Sequence, residues 1–349
     1  MRKLLKMAKL YVVIGADTED NAPSYTPNWS EYGSNYDVNP ANFKWHWTKY
    51  WDNVIEIFRE NDFPVTWYIR VDECIKDELL KNLKGKILEL KNAGDEIGIH
   101  IHTLEWDGSI WRQSRNEKKE KEIVDFSIKT FKKVMGFYPK SCRMGWNAMD
   151  NSIMNALEDN GILYECSAVP HYYSRGMYGG RDNIADWSNV GSEPYHPSSD
   201  NYQCEGNMKI IECPISSLGK KSLIFSESGI IRLINRSLWR VSIHFIPLIE
   251  KMGKFFNISP HTNFIISPIW PISNVEKIVD RYIKLSKRNG LAIIHGYFHP
   301  YDIFNPKKGS LNEDFADKIR YVLEYIKSKD NDVEIIPSTI SNAMESYLR

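Results

Sequence analysis

Apolar positions along the 349-residue chain fall into two kinds of run, and the two kinds alternate. Leu10-Tyr-Val-Val-Ile-Gly-Ala16 is a block of strand length, after which Trp51, Val54, Ile55 and Phe58 recur at helical spacing. Pro64-Val-Thr-Trp-Tyr-Ile69 reads as a second strand. Leu79, Leu80, Leu83, Ile87 and Leu90 then mark a helix that Gly94 should stop, and Glu96-Ile-Gly-Ile-His-Ile101 reads as a third strand. The pattern predicts a helix through Ile123, Phe126, Thr130 and Val134 ending at Gly136, a short strand at Ser141-Cys-Arg143, and a helix from an Asp150 N-cap to Gly161. Further on, Asn274 is expected to cap a helix carrying Val275, Ile278, Val279, Tyr282 and Ile283 and closing at Gly290. Leu291 to Phe298 is a strand, and a helix with Phe315, Ile319, Val322, Leu323 and Ile326 on one face precedes Val333-Glu-Ile-Ile336.

Strand–helix units in series, with strands apolar throughout, imply an α/β fold: a parallel sheet buried on both faces and covered by helices. No glycine-rich phosphate loop follows the first strand, which favours a (β/α) barrel over a Rossmann sheet. From about 170 to 260 the alternation breaks. This stretch holds Tyr172-Tyr-Ser-Arg-Gly-Met-Tyr-Gly-Gly180, Glu193-Pro-Tyr-His-Pro197 and an expected strand at Lys209-Ile-Ile-Glu-Cys213. With no repeat or linker in view, it reads as a loop elaboration on one domain spanning 1–349, and long loops of this kind tend to carry function.

Charge and composition narrow the classes of function. Lys+Arg and Asp+Glu both number 45, so the net charge of +0 provides no global field for nucleic acid or acidic membranes. At 42% hydrophobic the chain is globular rather than disordered. Cys74, Cys142, Cys166, Cys204 and Cys213 form no C-x-x-C pair and are odd in number, which fits reduced thiols. Leu10 to Ala16 is too short to span a membrane and runs into Asp17 without a small-residue cleavage site, so the expected compartment is the cytoplasm. Arg232, Arg236 and Arg240 recur at helical spacing; the first reading is a solvated basic face, the second a peripheral membrane contact.

In a barrel of this class the C-terminal strand ends face the active site. Taken in order, those ends carry Asp17, Thr18, Glu19 and Asp20, then His100 and His102, then Arg143, then His299. Residues i and i+2 of a strand share a side, so His100 and His102 can offer two imidazoles to one ion while Ile99 and Ile101 pack outward. A carboxylate from the first strand end would complete three protein ligands and leave positions open. His295, inside an apolar strand, reads as a satisfied core histidine before it reads as a ligand. His171, His196 and Tyr195 could stack on or hydrogen-bond to a sugar, or could be plain surface loop.

Five segments, Gly15-Ala-Asp-Thr-Glu-Asp20, Gly94-Asp-Glu-Ile-Gly-Ile-His-Ile-His102, Cys142-Arg-Met-Gly145, Asp186-Trp187 and Tyr297-Phe-His-Pro300, together resemble the successive motifs of the NodB-type polysaccharide deacetylases, carbohydrate esterase family 4. The order and spacing match from about residue 10 to about residue 335, and Asp-Glu-Ile-Gly-Ile-His is the most specific piece. The resemblance implies a distorted or incomplete (β/α) barrel and metal-dependent removal of acetyl from an N-acetylated (or O-acetylated) saccharide, with a divalent transition metal, Zn²⁺ first. It makes Asp17 the general base, Glu19 and His100 metal ligands, Arg143 the tether of Asp17, and His299 the general acid. Trp187 would wall the acetyl pocket with Asp186 nearby, and Tyr195 is the further candidate for sugar contact. The chain departs from the family twice. Thr18 stands between the two acids, which favours Glu19 over Asp20 as ligand, and Leu104 stands where many members have a second histidine, so His102 must substitute. The expected partner is an N-acetylated saccharide or sugar precursor in cell-surface polysaccharide assembly, with no nucleic acid and no integral membrane segment. Two rivals are an amidohydrolase-type metal barrel and a catalytically inactive saccharide-binding barrel. The first places its H-x-H on the first strand, whereas here the acids come first.

Overall fold

The computed structural model describes residues 7–19, 46–108, 111–175, 184–218, 263–268, 270–305 and 308–349. Asp20 and the Arg232, Arg236 and Arg240 stretch lie outside the described residues, as does part of Tyr172 to Gly180.

Nine parallel strands make the central sheet: β1 (Lys9–Thr18), β2 (Val65–Arg70), β3 (Glu96–Ile101), β4 (Ser141–Met144), β5 (Tyr164–Glu165), β6 (Ile211–Glu212), β7 (Ile265–Ile266), β8 (Leu291–Phe298) and β9 (Glu334–Ser338). Their order is β6-β5-β4-β3-β2-β1-β8-β7, with β9 also beside β1. The ten residues of β1 serve three partners: β8 pairs Lys9 to Ala16, while β9 pairs Lys9 to Val13 and β2 takes over from Ile14 to Thr18. Between the edge strands β6 and β7 the chain itself crosses the gap. Ile215 N donates to Ala168 O (2.8 Å), Ser216 N to His295 O (2.8 Å) and Phe264 N to Ser216 O (2.8 Å), so backbone groups at both edges are partly satisfied without a regular ladder. The result is the distorted barrel expected from the sequence.

Among the described residues, seven α-helices complete the frame: α1 (Trp51–Glu60), α2 (Glu78–Asn92), α3 (Glu117–Met135), α4 (Asn151–Asp159), α5 (Ile272–Asn289), α6 (Glu313–Lys327) and α7 (Ile340–Tyr347). Strand parity sorts the core. Val12, Ile14, Val65, Trp67, Ile69, Ile97, Ile99 and Ile101 face the helices, whereas Tyr11, Val13, Tyr68, Cys166 and Cys213 pack together as a separate cluster with Ile340, Ala343 and Met344 of α7. α7 closes the end of the barrel where the strands begin: Ile340 N donates to Thr66 Oγ1 (3.1 Å), and Ser341 N and Oγ donate to the Glu96 carboxylate (both 2.9 Å). Among the described residues no helix plugs the opposite end in the same way.

Local signals explain the boundaries. Asp150 Oδ1 accepts from Ile153 N at 2.9 Å, the N-cap anticipated for α4, and α3 and α5 stop at Gly136 and Gly290 in the left-handed region. Asn116 Oδ1, accepting from Lys119 N at 3.1 Å, starts α3 earlier than the apolar pattern suggested. One expected cap is corrected: α5 begins at Ile272 with Pro271 at the N-cap, so Asn274 sits in the first turn, 4% exposed, instead of capping it. Proline has no N–H to lose there, which makes it suited to a helix start. The strand expected over Lys209 to Cys213 contracts to Ile211–Glu212.

Candidate metal and catalytic site

The Asp95-Glu-Ile-Gly-Ile-His100 segment shows how the sequence builds the site. Asp95, 1% exposed at its side chain, accepts both guanidinium nitrogens of Arg59 (2.9 and 2.8 Å), Val65 N (3.0 Å) and Trp67 Nε1 (2.8 Å), so one carboxylate fixes α1, β2 and the entry to β3. Glu96 binds Ser141 Oγ (2.7 Å) as well as α7. Gly98 leaves the room that Ser141 and Tyr68 occupy; a Cβ there would lie 2.6 Å from Ser141 Oγ and 2.8 Å from the Tyr68 ring. With β3 so anchored, His100 is the last inward residue of its strand and His102 follows just beyond it, each 1% exposed.

Glu19, His100 and His102 converge. His102 Nε2 lies 3.0 Å from Glu19 Oε2 and 3.1 Å from His100 Nε2, and His100 Nε2 lies 3.7 Å from Glu19 Oε2. A tetrahedral ion with bonds of about 2.1 Å separates its ligand atoms by roughly 3.4 Å, a value these three distances bracket. The three form the one group of three or more such ligands among the described residues. Their protonation suits a cation. Burial, then the nearby Arg70 charge, push His102 down to about 4 against the pull of Glu19, so its imidazole is neutral at neutral pH. Burial opposes ionisation of Glu19, but His100 and His102 outweigh it and hold the carboxyl well below the usual range. The residues present therefore fit a divalent metal of nitrogen and oxygen preference.

Beside these donors stand the other three residues singled out from the sequence. Arg143 Nε is 3.2 Å from Asp17 Oδ2, with both side chains buried, and the Arg143 guanidinium lies over the Tyr297 ring at 3.6 Å. His299 Nε2 faces both acids, 3.8 Å from Asp17 Oδ2 and 3.6 Å from Glu19 Oε1, and its ring stacks on Tyr301 at 4.7 Å. Burial lowers the His299 pKa, partly offset by Asp17 and Glu19. All six residues thus meet at the C-terminal end of the sheet.

The three substrate candidates sit differently. Trp187, fully buried in the hairpin Tyr172–Arg175/Ile184–Trp187, donates from Nε1 to Asn147 O at 2.9 Å. Asn147 and Trp146 both have φ of 54°, a left-handed turn directly after β4, and the Trp146 ring stands edge-on to His102 at 4.6 Å. Trp187 thereby braces the turn that lies against His102. Asp186 Oδ1 accepts from Ser188 N (3.1 Å) and Oγ (2.7 Å), and Tyr195 OH donates to Tyr202 O (2.7 Å); these polar groups are engaged with neighbouring loop residues. Tyr202 in turn donates to Asp186 O (2.5 Å) and packs edge-on against Trp187 at 5.1 Å. His295 is buried in the core as expected, but only half satisfied: its Nδ1–H donates to Cys213 O at 3.0 Å, while its buried Nε2 has no hydrogen-bond partner among the described residues.

Four site residues carried no role from the sequence. Arg70, inward on β2 and in register with His100, is fully buried and donates from Nε to Asp72 Oδ2 at 2.7 Å. Strand parity alone places it in the row of Arg70, His100 and Arg143, and was the signal that could have found it. Tyr297 and Trp146 lay inside or next to quoted motifs. Gly145 is demanded by contact: a Cβ there would stand 2.3 Å from the His102 ring.

No protein-family model matches the sequence, and no curated protein matches it significantly. Solved structures do. A candidate polysaccharide deacetylase from Mycobacterium smegmatis superposes over 98% of this chain and 91% of its own, with a TM-score of 0.50 and 14% identity. A candidate glycoside hydrolase/deacetylase from Parabacteroides distasonis covers 98% of this chain and 71% of its own, with a TM-score of 0.55 and 11% identity. At such identities the likeness speaks for architecture, and the chain has the polysaccharide deacetylase fold.

Proposed function

We propose that the protein is a metal-dependent carbohydrate deacetylase of the NodB type, hydrolysing the acetyl amide or ester of a saccharide. The observation that carries this reading is the convergence of Glu19, His100 and His102 beside an Asp17 paired with buried Arg143, all at the C-terminal end of the sheet. Zn²⁺ is the metal proposed, and when bound it polarises the acetyl carbonyl and makes water more acidic. Asp17 accepts the proton of the attacking water, and Arg143, held over Tyr297, orients Asp17. His299, facing Asp17 and Glu19, delivers a proton to the departing amine or alcohol. Trp187 backs the acetyl pocket through the Trp146–Asn147 turn, and Asp186 and Tyr195 act on Trp187 through Tyr202.

The compartment proposed is the cytoplasm and the setting surface-polysaccharide assembly, on one domain spanning 1–349. All five cysteines are unpaired, which supports that compartment, and no helix among the described residues is long and apolar enough to cross a membrane. The test is acetate release from N-acetylhexosamine monomers and oligomers, with and without chelator. Activity should need metal, and Asp17→Asn and His299→Ala should each lower kcat by about 100-fold or more while retaining zinc. Variants that retain zinc and release acetate at the parent rate would refute the mechanism.

A further inference from the structure

The hairpin Leu104–Trp106/Trp111–Gln113 starts two residues beyond the ligand His102, tied to it by Leu104 N donating to His102 O at 2.8 Å. Its register is Leu104 opposite Gln113, Glu105 opposite Arg112 and Trp106 opposite Trp111. Period-two alternation puts Leu104, Gln113, Trp106 and Trp111 on one face. The first pair is buried, with Leu104 0% and Gln113 3% exposed, and anchors the hairpin to the core. The same face then runs out past the core, and the residues it presents there are two indoles, 5.7 Å apart and inclined at 58°. Trp106 is 52% exposed, the one exposed tryptophan among the described residues, while Trp111 is half-buried against the core.

A single exposed apolar side chain needs no explanation, but a cross-strand tryptophan pair projecting from the segment that supplies a metal ligand does. Indole faces suit the apolar C–H face of a pyranose ring, and next to the pair in sequence Arg112 Nε is bound to Asp107 Oδ2. Four residues of extended chain from His102 to Trp106 span at most about 13 Å. A separation within that bound is in reach of a short oligosaccharide.

We propose that Trp106 and Trp111 form a saccharide-binding subsite, holding a ring of the same glycan chain close to the one whose acetyl group lies at the metal site. The inference rests on the deacetylase reading and deepens it: the substrate is an oligomer or polymer rather than a monosaccharide. The experiment compares the zinc-loaded parent, Trp106→Ala and Trp106→Phe by calorimetric titration with N-acetylglucosamine and with its β-1,4-linked pentasaccharide, and by acetate release from both. Tyr138→Ala serves as control: Tyr138 is exposed and follows α3 at the opposite end of the barrel. The parent should bind the pentasaccharide more tightly than the monosaccharide. Trp106→Ala should erase about tenfold of that advantage, Trp106→Phe should restore part of it, and Tyr138→Ala should leave it intact.

A parent with no preference for the pentasaccharide, or a Trp106→Ala that keeps it, overturns the subsite. A change of oligomeric state in Trp106→Ala without a change in sugar affinity also overturns it and assigns the pair to a protein contact. Failure of the underlying reading looks different, since tryptophan-dependent binding without acetate release from any substrate retains the subsite and removes the deacetylase.

Discussion

Adding one methyl group at Gly145 tests whether the turn after β4 sets the metal geometry. The Cβ of Gly145→Ala would stand 2.3 Å from three atoms of the His102 ring, whereas ordinary contact begins at about 3.4 Å, so ring and turn must separate by about 1 Å. The ring has little freedom to retreat. It is 1% exposed, and Trp146 stands edge-on to it at 4.6 Å. Metal–ligand distances tolerate only about 0.2 Å, so a displacement of this size takes His102 Nε2 out of the donor set it forms with Glu19 and His100. Zinc affinity measured by chelator competition should fall by at least about 100-fold, on the scale of losing support for a ligand. Overpacking should cost about 1–3 kcal/mol in urea unfolding of the metal-free protein, leaving a folded chain. A Gly145→Ala protein that binds zinc as tightly as the parent would mean that His102 is not held where its ring lies here, and with it would go the assignment of His102 as a ligand.

Three further outcomes follow from the geometry. Asp95→Ala removes a buried carboxylate with four hydrogen bonds and leaves Arg59 without it, which should cost about 3–5 kcal/mol in urea unfolding; a loss below about 1 kcal/mol would contradict its anchoring role. Glu120 is buried, and burial, then the Asp150 charge, raise its pKa from 4.5 to about 8, with Glu117 adding to the rise and Arg115 opposing it. The folded chain therefore keeps a proton that the unfolded chain releases, so this contribution is complete below pH 4.5 and is lost as pH rises towards 8; Glu120→Gln should gain on the order of 1–2 kcal/mol over the parent at pH 8 relative to pH 5, and equal pH slopes would refute it. Saturating zinc should raise the thermal midpoint by several degrees, since ligand at 100 times Kd adds about 2.7 kcal/mol, and His102→Ala should abolish the rise; a midpoint indifferent to both zinc and chelator would dismiss the site.

How far these elements could be read from sequence depended on whether their signal was local. β8 was predicted over the residues it occupies, Leu291 to Phe298, because it is buried by neighbours on both sides and so is apolar nearly throughout. β5 and β7, two residues each, are strands only because a neighbouring ladder recruits them, and so short a run has no period to detect. α7 escaped notice for a related reason. Its apolar residues serve as a plug inside the barrel, and its start is tied to Thr66 and Glu96, more than 240 residues upstream, rather than by a local side-chain cap.

The site divides along the same line. Asp17, Glu19, His100, His102, Arg143 and His299 were legible because each stands at the end of a strand, where chain order and parity convert directly into position. Asp186 and Tyr195 lie in a stretch whose conformation is fixed by tertiary contacts, Tyr195 to Glu212 through the backbone and Tyr202 to Asp186 and Trp187. Residue type there suggested sugar contact, and Asp186 Oδ1 and Tyr195 OH hydrogen-bond within the same stretch. Trp187 is the exception. Its indole N–H reaches Asn147, and through the left-handed Trp146–Asn147 turn it touches the same ring that Gly145 leaves room for. The surroundings of His102 thus include Gly145, whose missing side chain leaves room for its ring, and the Trp146 ring at 4.6 Å, in a turn that Trp187 holds through Asn147 O, so the histidine proposed to substitute for the one missing at Leu104 is also one on which the surrounding packing bears directly.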